Sequence, residues 1–174
     1  MSDENTDRNE FCERVDLLLE QHDAAALQRM LTESPDDIAI PALISMQVDR
    51  NRNFITGECS LLFDPRKDEF LERAFKAKGE AAAKLLIQSM EMGDGVHLAL
   101  GWIGGENATH ALLGELKHDY WRRREAACNG LCAMTDQALR GALPAIRDLL
   151  RVERSAEVTW AANRALKHIE EVLR

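Results

Sequence analysis

The sequence predicts an all-α protein, an α-solenoid of stacked antiparallel helix pairs, and three observations predict it. Apolar residues recur at helical spacing rather than in alternation. Strand signals are weak, with few β-branched runs and a single tyrosine. One short phrase, small-x-Pro-Ala-hydrophobic-hydrophobic, returns along the chain, and internal repetition on this scale marks stacked helical units. The 174 residues, 45% of them apolar and 30% charged, suffice for one domain with a buried core.

Taken in order, Met1 to Asn9 is polar and acidic, and residues 1–9 read as a flexible tail. The first helix is expected to begin near Arg8 to Glu10 and to run through Phe11, Val15, Leu18 and Leu19, opening a single domain over residues 10–174. Ile38-Ala39-Ile40-Pro41-Ala42-Leu43-Ile44 is the clearest copy of the phrase, and Ala142-Leu143-Pro144-Ala145-Ile146 is the second. Pro41 and Pro144 suit a helix's first turn, where a missing amide hydrogen costs nothing. Ala108-Thr109-His110-Ala111-Leu112-Leu113 repeats the phrase with histidine in the proline slot, and Ala81-Ala82-Ala83-Lys84-Leu85-Leu86 is a weaker fourth copy. Residues 50–64 stretch the interval between Pro41 and the next copy, which predicts an insertion or irregular helix between repeats. Asp94-Gly95 lies between two helical patterns and is not a hairpin signal.

A second phrase, small residues around a leucine, precedes the later copies. It runs through Ala99-Leu100-Gly101, Gly130-Leu131-Cys132 and Ala165-Leu166-Lys167, so Leu100, Leu131 and Leu166 are expected to be equivalent. One helix of each pair must pack on its partner and on the next pair. Positions near the crossing therefore take Ala, Gly or Cys and flanking positions take Leu or Ile.

These phrases resemble HEAT-like repeats of the phycobilisome (bilin) lyase type. Ala99-Leu100-Gly101-Trp102-Ile103-Gly104 matches the Ala-Leu-Gly-x-Ile-Gly ending of that family's first helix. Asp119 to Ala127 looks like its usual lead into a first helix, with Arg123 where valine is commoner. The resemblance covers residues 66–174 best and residues 24–49 more loosely. It implies a fold and fixes no function. In this register the repeat beginning near Leu131 lacks its glycine and carries Cys132 in that slot.

Charge is unevenly placed. Residues 1–37 hold eleven acids against three arginines, which is the whole net charge of −8, whereas residues 38–174 hold 19 acidic and 19 basic groups. An acidic N-terminal third opposes general affinity for nucleic acid, which needs a basic stripe that releases counterions. It suits a solvated face, or a basic element of a partner protein set against Glu13, Asp16 and Glu20. No run approaches 18 apolar residues and the N-terminus has no secretory pattern, so a cytoplasmic protein without membrane attachment is expected. Cys12, Cys59, Cys128 and Cys132 are too irregular for a disulfide framework and read as reduced thiols.

Cys128 and Cys132 share one helical face at i, i+4 and could offer two thiolates to a metal. With no second ligand pair beside them, they read as packing residues. Asp119, Trp121 and the triplet Arg122-Arg123-Arg124 are the nearest imitation of a carboxylate, aromatic and cationic constellation for DNA, as in glycosylases built from HEAT-like helices. The competing expectation is that these arginines pair with acids or cover a helix end. Gly101 to Glu106 reads as a glycine C-cap, because the Lys-Ser or Lys-Thr of a phosphate loop is absent.

The expected function is a non-enzymatic scaffold or adaptor without cofactor or metal, whose second helices hold a partner protein on a concave face. The candidate contacts are Gln47, Lys84, Gln88, Glu91, Thr109, Leu113, Lys117, Arg147 and Arg151. The alternative is an enzyme or enzyme subunit on the same fold, either bilin-lyase-like or related to nucleic-acid repair.

Overall fold

The computed structural model describes residues 3–56 and 65–174. The described residues are helical and include no strand: α1 (Asp3–Glu20), α2 (Ala24–Glu33), α3 (Asp36–Thr56), α4 (Pro65–Gln88), α5 (Asp94–Ile103), α6 (Gly105–Glu115), α7 (Trp121–Ala133), α8 (Ala142–Val152) and α9 (Ala156–Val172). Two short 3₁₀ turns, Met90–Met92 and Gln137–Gly141, complete them. The chain divides into two compact units, Met1–Leu85 and Leu86–Arg174, where the sequence reading expects one domain. No described helix is long and apolar enough to cross a membrane.

In the first unit, Phe11, Val15 and Leu19 form the buried stripe of α1, which packs on α3. The helix starts at Asp3, so residues 3–9 belong to it rather than to the expected tail. Asp23 caps α2 by accepting from the Ala26 amide at 2.8 Å. Pro41 lies inside α3, not in its first turn. Pro35 has already opened that helix, its carbonyl accepting from Ala39 N at 2.8 Å, and Asp36 and Asp37 then favour its positive end. α3 continues through Thr56, so residues 50–56 of the expected insertion are helical, while 57–64 lie outside the described residues.

Gly79 breaks α4 into two helical segments with φ 51° and ψ −128°, a conformation that glycine reaches without steric penalty. The break falls just ahead of Ala81, where the weaker copy of the phrase predicts a helix start. The buried stripe Phe70, Leu71, Ala74 and Phe75 lies before it. Lys78 Nζ donates to Asp36 Oδ1 at 2.7 Å and to Ser34 O at 3.2 Å, tying α4 to the turn between α2 and α3.

In the second unit, α5 packs on α7 and α7 on α9, with α6 against α5 and α7, and α8 against α9 and α6. The α5–α7 crossing is a backbone contact. A Cβ on Gly101 would lie 2.1 Å from Gly130 O, and one on Gly130 would lie 2.5 Å from His97 O. Gly130 thus supplies the glycine that the repeat register assigns to Cys132's slot. Leu100 and Leu131 are fully buried as expected, but Leu166 is only half-buried, and Ala165 and Ile169 take the inward positions of α9. The wider α9 stripe runs Val158, Ala161, Ala162, Ala165 and Ile169, a helical period that leaves Leu166 to one side.

Turn-level polar contacts lock these helices together. Gly104, with φ 73°, ends α5 as the expected C-cap, its amide donating to Leu100 O at 3.0 Å. Asp136 Oδ2 accepts from Gly105 N at 2.6 Å, placing a carboxylate on the N-terminus of α6, while its Oδ1 accepts from Ala138 N at 3.0 Å. His168 Nε2 meets Met134 O at 2.6 Å, joining α9 to the end of α7. Pro144 occupies the first turn of α8, as expected.

Candidate functional site

Helices α6 and α8 leave a groove of about 780 Å³ between them. Its walls are helical stripes: Leu113, Leu116 and Lys117 on and after α6, and Ala145, Leu149 and Val152 on α8. Val152, at the mouth of the groove, is 74% exposed. Its volume lies in the roughly 300–1,000 Å³ range of pockets that hold small ligands or a few side chains.

One end of the groove is closed by an ion pair. Arg124, in the first turn of α7, sends Nε to Glu153 Oε2 at 2.6 Å and Nη2 to Glu153 Oε1 at 2.9 Å. Its Nη1 donates to the carbonyls of His118 and Asp119, each at 2.8 Å. Glu153 also accepts from the amides of Arg154 and Ser155 at 2.9 Å. A forked, charge-assisted pair of this kind is both strong and directional. The guanidinium, aided by the two amides against the opposing effect of burial, holds the Glu153 carboxyl down to about 2. It stays ionised, and at neutral pH it has no proton to give.

A second buried polar cluster lies between α5, α6 and α7. His97, 1% exposed, places Nε2 at 3.3 Å from Glu115 Oε2, and Arg123 Nε donates to the same oxygen at 2.5 Å. Arg123 Nη1 reaches Glu91 Oε1 at 2.5 Å. Burial pushes the His97 imidazole below its ordinary value, outweighing the pull of Glu115. Burial also opposes ionisation of Glu115, but hydrogen bonds from Arg123 and His97 prevail and hold it below the usual carboxylate range. A neutral imidazole donating to a carboxylate that Arg123 neutralises is a cross-brace between three helices.

The arginine triplet is therefore consumed within the chain. Arg123 and Arg124 are paired as described, and Arg122 lies with its guanidinium carbon 5.3 Å from the Trp121 ring centroid. Trp121 also meets Tyr120 edge-on, the centroids 6.2 Å apart. The carboxylate-aromatic-arginine constellation at Asp119 to Arg124 thus takes the structural reading of its arginines. Cys128 is buried, and burial pushes its thiol up to about 12, which leaves essentially no thiolate for chemistry at neutral pH. No group of three or more metal-ligating side chains gathers among the described residues.

The sequence-derived contact residues separate into four sets. Leu113 and Lys117 line the groove. Arg151 lies at its edge, bonded at 2.7 Å to the lining residue Asp148, while Arg147 reaches across to Glu170 at 3.1 Å. Lys84, Gln88 and Glu91 are exposed but do not line it, and Glu91 is held by Arg123. Gln47 and Thr109 lie inside the protein, not on a surface. Thr109 donates to Gly105 O at 2.8 Å, as hydroxyls in helices commonly do, and Gln47 is fully buried with no hydrogen-bond partner among the described residues.

Sequence reasoning missed Leu116, Leu149, Val152 and Arg154. The spacing Ala145, Leu149, Val152 is i, i+4, i+7 and was legible as one stripe of α8; that Leu149 is buried while Val152 stays exposed depends on tertiary packing. At the acidic N-terminus, Glu13, Asp16 and Glu20 are exposed, and Asp16 already has an internal cation, Lys67 Nζ at 2.8 Å. Set against known proteins, the chain matches no family model, no curated protein and no solved structure.

Proposed function

We propose that this chain is a non-enzymatic scaffold or adaptor that holds a partner protein, and that residues 86–174 do so as a short HEAT-like stack. First helices α5, α7 and α9 form the packed layer of that stack, and second helices α6 and α8 the receptive one. The observation that carries the reading is the α6–α8 groove, a trough of mixed apolar and charged lining with Val152 presented to solvent at its mouth. Its lining acids Glu153 and Asp148 are engaged by Arg124 and Arg151, which favours surface complementarity over chemistry as the mechanism.

The test is affinity capture of the tagged protein and its Val152→Asp variant at moderate salt, read by mass spectrometry and by absorbance. A stoichiometric protein retained by the wild type and lost by the variant is expected. A bound chromophore or nucleic acid in place of a protein, or capture indifferent to Val152, overturns the reading.

A further inference from the structure

The charges around the groove restrict what kind of partner segment it takes, given the scaffold reading above. Of its lining acids, Glu153 is engaged by Arg124 and Asp148 by Arg151. Asp119 lies close enough to Arg124 to favour that guanidinium's charge. The lining cations Lys117 and Arg154 have no ion-pair partner among the described residues. Both belong to the same end of the groove. Arg124 grips the carbonyls of His118 and Asp119 with one nitrogen and Glu153 with two others, so the turn after α6 and the turn after α8 are pinned side by side.

The apolar walls select the occupant's shape. Ala145, Leu149 and Val152 are spaced i, i+4, i+7, so the α8 wall is one ridge of a helix, faced by Leu113 of α6 and by Leu116 and Lys117 in the turn after it. A trough along such a ridge accepts a further helix through its own ridge of i, i+3, i+4, i+7 side chains. A basic occupant would bring like charge against Lys117 and Arg154, whereas an acidic one would satisfy them. We propose that the groove docks an amphipathic helix of a partner protein. Its apolar stripe lies on Leu113, Ala145 and Val152, and its acidic residues pair with Lys117 and Arg154.

The experiment is selection from a displayed library of helix-forming peptides that carry leucine at i, i+3 and i+7 with all other positions randomised. The full chain is the bait and Val152→Asp, confirmed as folded by its circular dichroism melt, is the counter-bait. Binders that depend on Val152 should be enriched in Asp and Glu. Their affinity should fall about tenfold or more in the Lys117→Glu, Arg154→Glu double variant and decline with added salt, as rim charge pairs do. Val152-dependent binders that are basic, or indifferent to the two cations, overturn the acidic-helix assignment and leave the groove reading standing. A library that gives no Val152-dependent binder overturns both. A concentration-dependent dimer in sedimentation that Val152→Asp dissolves makes a second copy of this chain the occupant and also overturns the assignment.

Discussion

At the crossing of α5 and α7, the helices approach until backbone touches backbone, with Gly101 and Gly130 leaving no room for a methyl group. Between α6 and α8, in the same unit, a trough is left open and a valine stands in water. α7 is gripped on both sides, by α5 and α9, and its neighbours supply the fully buried side chains that hold the unit together. α6 and α8 bury Leu112 and Ile146 fully, and polar contacts of Arg124, Glu153 and Asp136 tie their ends. The difference is between a crossing closed by backbone contact and a face left open, and under the scaffold proposed above the first folds the unit and the second receives the partner.

The sharpest way to break this contrast is to charge the closed layer. Leu131 is fully buried at the centre of the α5–α7–α9 layer, and Leu131→Asp places there a carboxylate with no cation to meet it. A loss of roughly 4 kcal/mol or more is expected, enough to unfold or aggregate a domain of ordinary stability. Gly130→Ala should also be severe, because its new Cβ would collide with the His97 carbonyl rather than with a movable side chain. A normal thermal melt for either variant would mean that the layer is not closed as described.

Arg124→Met should come next. It keeps the bulk of the side chain but leaves Glu153, whose side chain is 4% exposed, without its guanidinium, and frees two carbonyls. Breaking one partner of such a pair should cost about 3 kcal/mol, or about 10 °C of melting temperature in a chain of this size. Glu153→Gln in the same background should recover part of the loss. Additive losses in this double-mutant cycle would show that the clasp is not one interaction.

How much of this was legible beforehand depends on the kind of contact. Repeated phrases marked Leu100 and Leu131 as inward, and the proline of the Ala142 phrase marked the first turn of α8. These signals are local, since helical periodicity and caps act within one or two turns. Pro41 misled because a proline at position 35 and two aspartates had already opened the helix. Leu166 misled because α9 buries a stripe of alanines through Ala165 to Ile169, rotated by one position from the repeat register. Gly130 was visible as a residue but not as a crossing, and the carboxylate partners of Arg123 and Arg124 lie 8 to 32 positions away in sequence. The nine surface candidates fared unevenly for the same reason: which side of a second helix stays open is decided by the helices around it, as burial of Thr109 and exposure of Val152 show.

A smaller effect should appear in the pH dependence of the cross-brace. His97 is held below its ordinary value of 6.5, so the unfolded chain binds that proton more readily than the folded one. Its contribution is complete above pH 6.5 and is lost as pH falls from there toward the folded value. Glu153 has the same sign but acts later, losing its contribution only as pH falls below its ordinary 4.5 toward about 2. Melting followed from pH 7.5 to pH 5 should therefore report His97 ahead of Glu153. His97→Gln, which can still donate to Glu115, should flatten the slope by up to about 2 kcal/mol over the interval, the most that one proton supplies. An unchanged slope would place the acid sensitivity elsewhere.

The smallest change in stability belongs to the open layer, and it carries the most information. Val152 lies three-quarters in water, so Val152→Asp removes little burial and adds a charge that solvent can reach. The new carboxylate also lies at the groove end that holds Lys117 and Arg154, which offsets its effect on the fold. The melt should move by less than about 0.5 kcal/mol, the ordinary scatter of surface substitutions. Partner capture should nevertheless collapse, because an apolar anchor is replaced by an acid in the path of an acidic helix. Only that pairing, an unmoved melt with lost capture, separates a face kept open for recognition from a face that is merely unfilled. If Val152→Asp leaves capture intact, the trough is a packing defect between second helices. If it lowers the melt by several degrees, the valine is part of the core and the two layers are not as different as their contacts imply.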